Sequence, residues 1–123
     1  MTPRSNRTLR EYWEEVPAFY RDLIERHGWK QQPMLELAQR LADQSIAQGL
    51  FPSTSHEALG LSRFEFYEER LSAPVVYIRY VAEPKVFEIT FQAGQGHTIS
   101  IETARLIDAD PWRRIIAWLS PAS

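Results

Sequence analysis

The sequence predicts an α+β fold: two N-terminal helices, a four-stranded, mainly antiparallel meander, and one C-terminal helix. Three observations favour this order. Apolar residues recur every three or four positions up to about residue 50, which is typical of amphipathic helices. From Leu59 to Glu102 the spacing changes to two, which is typical of half-buried strands. The helical spacing returns after Asp110. Runs of helices followed by runs of strands indicate α+β rather than α/β.

The first predicted helix begins at the capping box Thr8-Leu9-Arg10-Glu11, in which the first and last side chains satisfy free backbone N–H groups. Pro17 lies inside this helix. Because proline lacks the N–H donor and crowds the preceding turn, we expect a kink or a break just before it. Gly28 favours the helix end, with Trp29 folding back on the last turn.

A second helix is predicted to begin at Pro33 and to end at Gly49, since proline suits a first helical turn and glycine a C-terminal one. The polar stretch Ser53–Glu57 then predicts a loop. Strand one is expected from about Phe64 to Arg70. Strand two, apolar on both faces and therefore central, is expected from about Val75 to Ala82.

The turn Gly94-Gln95-Gly96 predicts a hairpin between strands three and four. A last helix is expected from an N-cap at Asp110 and an N1 proline at Pro111, ending at Ser120-Pro121. Residues 1–7 are expected to be a tail of this single domain, 1–123. The helices are expected on the sheet face that carries Phe64, Phe66, Ile78, Phe87, Ile89, Phe91, Ile99 and Ile101.

Composition limits the function classes. The chain has 123 residues, a net charge of −2, 44% hydrophobic and 24% charged residues, as expected of a soluble globular domain. A charge this small argues against nucleic acid as the main partner. No cysteine is present, so thiolate chemistry and disulfides are excluded. With no expected signal peptide and no apolar run near the ~20 residues of a membrane span, we expect a cytoplasmic protein and no membrane partner.

The outward face of the predicted sheet is the first place to look for function. Tyrosine and arginine are over-represented in binding hot spots, and the alternation places both types there among carboxylates. An ordinary solvated face with cross-strand ion pairs explains the same pattern. So does a face that a helix covers at Val75, Tyr77 and Val81. The candidate partner-binding residues are Glu65, Tyr67, Glu69, Tyr77, Arg79 and Glu88.

The histidines do not form a recognisable site. His27, His56 and His97 lack metal-ligand spacing, so we predict neither a metal nor another cofactor. A small hydrolase or isomerase remains an alternative, with His56 or His97 transferring protons beside Glu57 or Glu102. Apart from this alternative, we expect the protein not to be an enzyme.

The chain resembles the small cytoplasmic immunity proteins that neutralise bacterial polymorphic or secreted toxins. The resemblance lies in size and architecture: aromatic-rich N-terminal helices with Tyr12-Trp13 and Phe19-Tyr20 precede stretches such as Phe64–Glu69 and Val86–Phe91. It implies a cognate toxin as protein partner, bound tightly and often at its active site. These proteins share no catalytic signature, so no residue role is implied. A secretion chaperone for an effector is the other non-enzymatic alternative.

Overall fold

The computed structural model describes residues 7–120, which form four helices and a five-stranded antiparallel sheet. The α+β class is confirmed, but the sheet has one strand more than predicted. Residues 1–6 of the predicted tail, and Pro121 at the predicted helix end, lie outside the described residues. The elements are α1 Leu9–His27, α2 Gln32–Ala47, β1 Phe51–Ser55, β2 Ala58–Ser62, α3 Tyr67–Arg70, β3 Val75–Val81, β4 Val86–Gln92, β5 Thr98–Ala104 and α4 Ala109–Leu119.

The strands lie in chain order, β1-β2-β3-β4-β5. Residues that pair directly across two strands lie on the same face of a sheet, so the register assigns each side chain to one of two faces. We call the face towards α1, α2 and α4 the inner face, and the opposite one the outer face. The inner face supplies the buried residues Leu59, Leu61, Val76, Ile78, Phe87, Ile89 and Phe91. The outer face includes Gly60, Tyr77, Arg79, Glu88, Thr90 and Ile101.

Helix α1 confirms both predicted ends. The Thr8 hydroxyl accepts from the Glu11 N–H, and the Glu11 carboxylate accepts from the Thr8 N–H. At the other end Gly28 has a left-handed φ of 66°, and the Trp29 N–H reaches back to a carbonyl of the last turn. The predicted break at Pro17 does not occur, since α1 is one helix of 19 residues. Burial of its apolar stripe offsets the hydrogen bond that proline removes.

A buried tryptophan joins the two N-terminal helices. Trp13 is almost fully buried, and its indole Nε1–H donates to the carbonyl of Leu50 at 2.9 Å. Leu50 follows α2 and immediately precedes β1. The contact therefore places the end of α2 and the start of the sheet against α1. A buried indole N–H needs such an acceptor, because leaving it unpaired would cost stability.

The predicted strand from Phe64 to Arg70 is wrong. This stretch is irregular apart from the single turn of α3, and the Arg70 guanidinium donates to the carbonyls of Phe64 and Glu65, at 3.3 and 2.7 Å. These backbone groups therefore bond to a side chain instead of to a neighbouring strand. The predicted loop Ser53–Glu57 is wrong in its first part: Ser53–Ser55 belong to β1, and only His56 and Glu57 form the turn that joins β1 and β2.

The predicted orientation of the last strand is wrong as well. Ile101 pairs with Thr90 and therefore lies on the outer face. The register shifts beside Gln92, and Ile99 is the extra residue of the resulting β-bulge. Ile99 and Ile101 are 60% and 58% exposed. Alternation defines two faces but not which one meets the helices, and a one-residue error exchanges them. The hairpin through Gly94 and Gly96 is confirmed.

The predicted C-terminal helix is confirmed as α4, although its N-cap is Asp108 rather than Asp110. Its Trp118 is partly buried, lies edge-on to the Phe91 ring and donates its indole N–H to the Gln92 carbonyl at 2.9 Å. These contacts fix α4 on β4. Among residues 7–120, no helix is both long and apolar enough to cross a lipid bilayer.

Arg63, just after β2, joins the C-terminal ends of two helices. Its Nε donates to the carbonyl of Leu119, the last residue of α4, and its Nη1 donates to the carbonyl of Gln48, the C-cap of α2, at 3.0 Å. Terminal helix carbonyls lack partners within the helix and attract positive charge. One guanidinium therefore satisfies a terminal carbonyl of each helix and links both helices to the sheet.

We expect Arg63→Ala to lower the free energy of unfolding by about 1–3 kcal/mol, because hydrogen bonds to charged groups contribute about that much. Urea denaturation followed by circular dichroism measures it. Arg113→Ala is the matched control: within residues 7–120 Arg113 pairs only with Asp110 in α4, where both side chains are more than 75% exposed, and its loss should change stability by less than about 0.5 kcal/mol. Equal effects of the two substitutions would contradict the role of Arg63.

Candidate functional site

An ion-pair network lies on the open part of the outer face. Arg79 on β3 pairs directly across the strands with Glu88 on β4, and its Nε lies 2.8 Å from Glu88 Oε1. Its Nη1 lies 3.4 Å from Glu57 Oε1. The hydrogen bond that Arg79 donates to Glu88, followed by the charge of Glu88 and the contacts of Glu57, raises the pKa of Arg79 above its ordinary value, and partial burial opposes this only in part. One cation is thus held between two carboxylates whose side chains are 28% and 26% exposed.

Glu57 is positioned by the hairpin turn between β1 and β2. His56, the first of the two turn residues, has a φ of 55°, a left-handed conformation of the kind two-residue hairpin turns use. The Tyr20 hydroxyl, fully buried on α1, donates to the Glu57 carbonyl at 2.9 Å. Burial, and then the nearby charge of Glu57, raise the pKa of Tyr20 well above its ordinary value. Helix α1 thereby fixes this turn from the inner side.

Tyr77 occupies the centre of the outer face. It pairs with Gly60 on β2, and a Cβ atom at position 60 would lie only 2.7 Å from Tyr77 Cε1. The tyrosine ring therefore lies over the glycine. Its hydroxyl donates to Gln95 Oε1 at 2.7 Å. Ring and hydroxyl are both fixed, so Tyr77 is a preorganised feature of the face.

These groups surround a shallow depression of about 250 Å³. Seven of its nine lining residues have polar side chains, and the charged ones are Arg79 and Glu88. Such a surface can receive a complementary polar or charged group of another protein. It is lined by Ser55, Ala58, Tyr77, Arg79, Glu88, Thr90, Gln92, Gln95 and Gly96.

The other end of the outer face is closed. Val75 and Ser62 are buried there. Residues 63–74, which connect β2 to β3, lie against the turn that joins β4 and β5. The Gln95 N–H donates to the Arg70 carbonyl at 3.0 Å, and a Cβ at Gly94 would lie 2.4 Å from the Leu71 carbonyl oxygen. Backbone approaches this close leave no room for a side chain at position 94.

The six predicted binding residues fall into two groups. Tyr77, Arg79 and Glu88 lie together on the outer face. The other three lie in the 63–74 connection rather than on a strand. Glu65 accepts from the Tyr12 hydroxyl at 2.6 Å and so faces α1. Tyr67 is 57% exposed on α3, next to the partly buried Glu69.

Two members of the site were absent from that set. Glu57 and Gln95 complete the contacts of Arg79 and Tyr77. A two-residue turn, His56-Glu57, followed by the alternating residues Leu59 and Leu61 could have indicated the first hairpin. Pro52 and Gly60 hide that signal, because both residues are uncommon inside strands.

Among the described residues, neither His56 nor His97 forms a hydrogen bond or an ion pair with a carboxylate. All three histidines are exposed. His56 lies in the β1–β2 turn and His97 in the β4–β5 turn, at opposite ends of the sheet. The carboxylates named with them are engaged elsewhere: Glu57 with Arg79, and Glu102 with Arg114 of α4. Within residues 7–120 there is also no group of three or more potential metal ligands.

A larger groove of about 710 Å³ lies between α2 and α4, and its lining includes Arg40, Trp112 and Arg113. Its lining arginines are exposed, and in the described part of the chain Arg113 pairs only with Asp110, one turn away on the same helix. Exposed pairs of this kind order their side chains little. The outer face, where Arg79 is held by two partly buried carboxylates, is therefore the better candidate site.

Comparison with known proteins finds no matching family model, no similar curated protein and no similar solved structure.

We expect Gly60→Ala to destabilise the protein by about 1–3 kcal/mol, the usual effect of overpacking. The new methyl group would collide with the Tyr77 ring, whereas Ser53, the other close neighbour, can rotate away. Thermal or urea unfolding measures the change. In a Tyr77→Ala background the same substitution should cost less than half as much. An equal cost in both backgrounds would show that the ring does not lie over the glycine.

The raised pKa of Tyr20 predicts that the protein loses stability at alkaline pH. Its folded-state pKa lies above the ~10 of an unfolded tyrosine, so its contribution is complete below about pH 10 and is lost as the pH rises further. Tyr20→Phe should reduce stability by about 1 kcal/mol at pH 7 and flatten the decline above pH 10. Urea unfolding at pH 7 to 11 tests both effects, with Tyr67→Phe, altered at an exposed ring, as the control. Parallel wild-type and Tyr20→Phe profiles would contradict the assignment.

Proposed function

We propose that this chain is a non-enzymatic binding protein that neutralises a cognate bacterial toxin in the cytoplasm, in the manner of immunity proteins. The observation that carries the proposal is the open outer face, where Glu57 and Glu88 hold Arg79 and Gln95 holds Tyr77. The family resemblance in size and architecture supplies the kind of partner.

Preorganisation supports a binding role. Ordering a flexible side chain at an interface costs about 0.5–1.5 kcal/mol. Arg79 and Tyr77 are already held by hydrogen bonds, so binding would require little further ordering of either residue. The Arg79 side chain is nevertheless 43% exposed, and it can meet a carboxylate of the partner.

The 63–74 connection extends this surface. Tyr67 exposes its ring beside the closed end of the outer face, and Phe64 and Leu71 in the same connection are 38% and 50% exposed. Aromatic and apolar side chains beside a rigid charged centre are the usual composition of an interface. In this proposal Tyr67 and Glu69 contact the toxin, while Glu65 acts indirectly by bonding to Tyr12.

The test is co-expression with the toxin encoded beside this chain's gene. We expect the wild-type chain to restore growth, and Tyr67→Ala and Arg79→Gln each to weaken toxin binding by about 10- to 100-fold, as hot-spot residues do. Isothermal titration calorimetry with an inactive toxin variant measures the affinity. Tyr67→Ala is the cleaner variant, because Arg79→Gln leaves two carboxylates without their cation.

Glu36→Ala, at an exposed position of α2, is the matched control and should bind as the wild type does. Circular dichroism establishes that each variant remains folded. Failure of the wild-type chain to bind the toxin or to restore growth would refute the proposed function. If Tyr67→Ala and Arg79→Gln both bound the toxin with wild-type affinity, the proposed site would be refuted.

A further inference from the structure

Strand β5 has a free edge and an apolar outer face. It pairs with β4 on one side, and among residues 7–120 no strand pairs with its other side. Ile99 and Ile101 are each about 60% exposed. Free N–H and C=O groups beside exposed isoleucines make such a strand a template for pairing with another chain.

The two edge strands of the sheet, β1 and β5, differ in how well they are blocked from pairing with another chain. Natural edge strands are usually blocked by lysine, proline, a bulge or a covering element. Edge strand β1 contains Pro52, which has no N–H donor, and the Tyr12 ring of α1 packs edge-on against Phe51. Strand β5, Thr98–Ala104, contains no Lys, Arg or Pro. Its bulge at Ile99 lies near one end and leaves the remainder regular.

We propose that β5 pairs antiparallel with β5 of a second copy of this chain, about a two-fold axis through Ile101. The two sheets would then form one sheet of ten strands. This register places Ile101 opposite Ile101 of the second copy, and Ile99 opposite Thr103. The two Ile101 side chains meet on the outer face, and β-branched pairs of this kind stabilise neighbouring strands.

The charges of β5 permit this register. Glu102 is the one ionisable residue in the strand, and it already bonds to Arg114 of α4. With the axis at Ile101, Glu102 lies opposite Ser100 of the second copy, so the two carboxylates do not face each other. Like charges directly opposite would be destabilising. A strand that can face its own copy with matched apolar residues and no charge conflict is self-complementary, as a two-fold interface requires.

The expected dimer is weak. A single strand pair is smaller than the roughly 1,600 Å² of a standard interface, so we expect a Kd in the micromolar range. Sedimentation equilibrium from about 1 to 500 µM would show the monomer converting to a dimer. Ile101→Lys should raise the Kd at least 30-fold, because it places two lysines against each other at the axis. Trp29→Lys, which alters an exposed apolar residue outside the sheet, should leave the Kd unchanged.

Cross-linking tests the register, because the chain has no natural cysteine. Ile101→Cys should form an intermolecular disulfide under mild oxidation, since the two residues meet at the axis. Thr103→Cys is the matched control on the same face of the same strand. Its counterpart lies four residues along the second strand, about 13 Å away, beyond the ~7 Å that a disulfide can span.

A wild-type protein that stays monomeric to 500 µM would overturn the proposal. So would a dimer that Ile101→Lys leaves intact, or a Thr103→Cys link that forms as readily as the Ile101→Cys link. Circular dichroism and thermal unfolding of each variant exclude loss of the fold as the cause. The proposal does not rest on the toxin-binding function, and Ile101→Lys should still bind the toxin.

Discussion

Burial of one sheet face by three helices is the constraint on which the rest of the structure depends. Trp13 and Trp118 fasten the helical layer at two places, to the start of β1 and to the end of β4. Arg63 then holds the ends of α2 and α4 together. With the helices on the inner face, the outer face is completed by other means: a connecting segment at one end and a hydrogen-bonded ion-pair network at the other. That division creates the candidate site.

Local chemistry was predicted correctly at three places where one short stretch decides the outcome. The capping box at Thr8, the left-handed end at Gly28 and the hairpin through Gly94 and Gly96 depend on neighbouring residues, and all three are present. Alternation also placed Arg79 and Glu88 on one face, and the structure pairs them directly across β3 and β4. Half of the candidate binding set was therefore placed together correctly.

The remainder depends on contacts distant in sequence. The alternation from Phe64 onwards resembles a strand, but its backbone bonds to the Arg70 guanidinium, which no local pattern reveals. The stretch around Pro52 and Gly60 is a poor strand former. It pairs because Tyr77 covers the glycine and Tyr20 holds the hairpin turn. For Ile101 the two-residue alternation was predicted correctly but the face of the sheet was not, because the β-bulge beside Gln92 shifts the alternation by one residue.

The turn between β4 and β5 joins surfaces that are otherwise separate. Gln95 contacts both the Tyr77 hydroxyl and the carbonyl of Arg70, and the same turn leads directly into β5. A ligand that shifted the 63–74 connection would act through this turn on the start of the edge strand. Energetic coupling of this kind is reciprocal. A second chain bound at the β5 edge would change the affinity for a ligand at Tyr67 by a certain factor, and that ligand would change the affinity at the edge by the same factor. The five-residue turn between β4 and β5 would set the size of this factor.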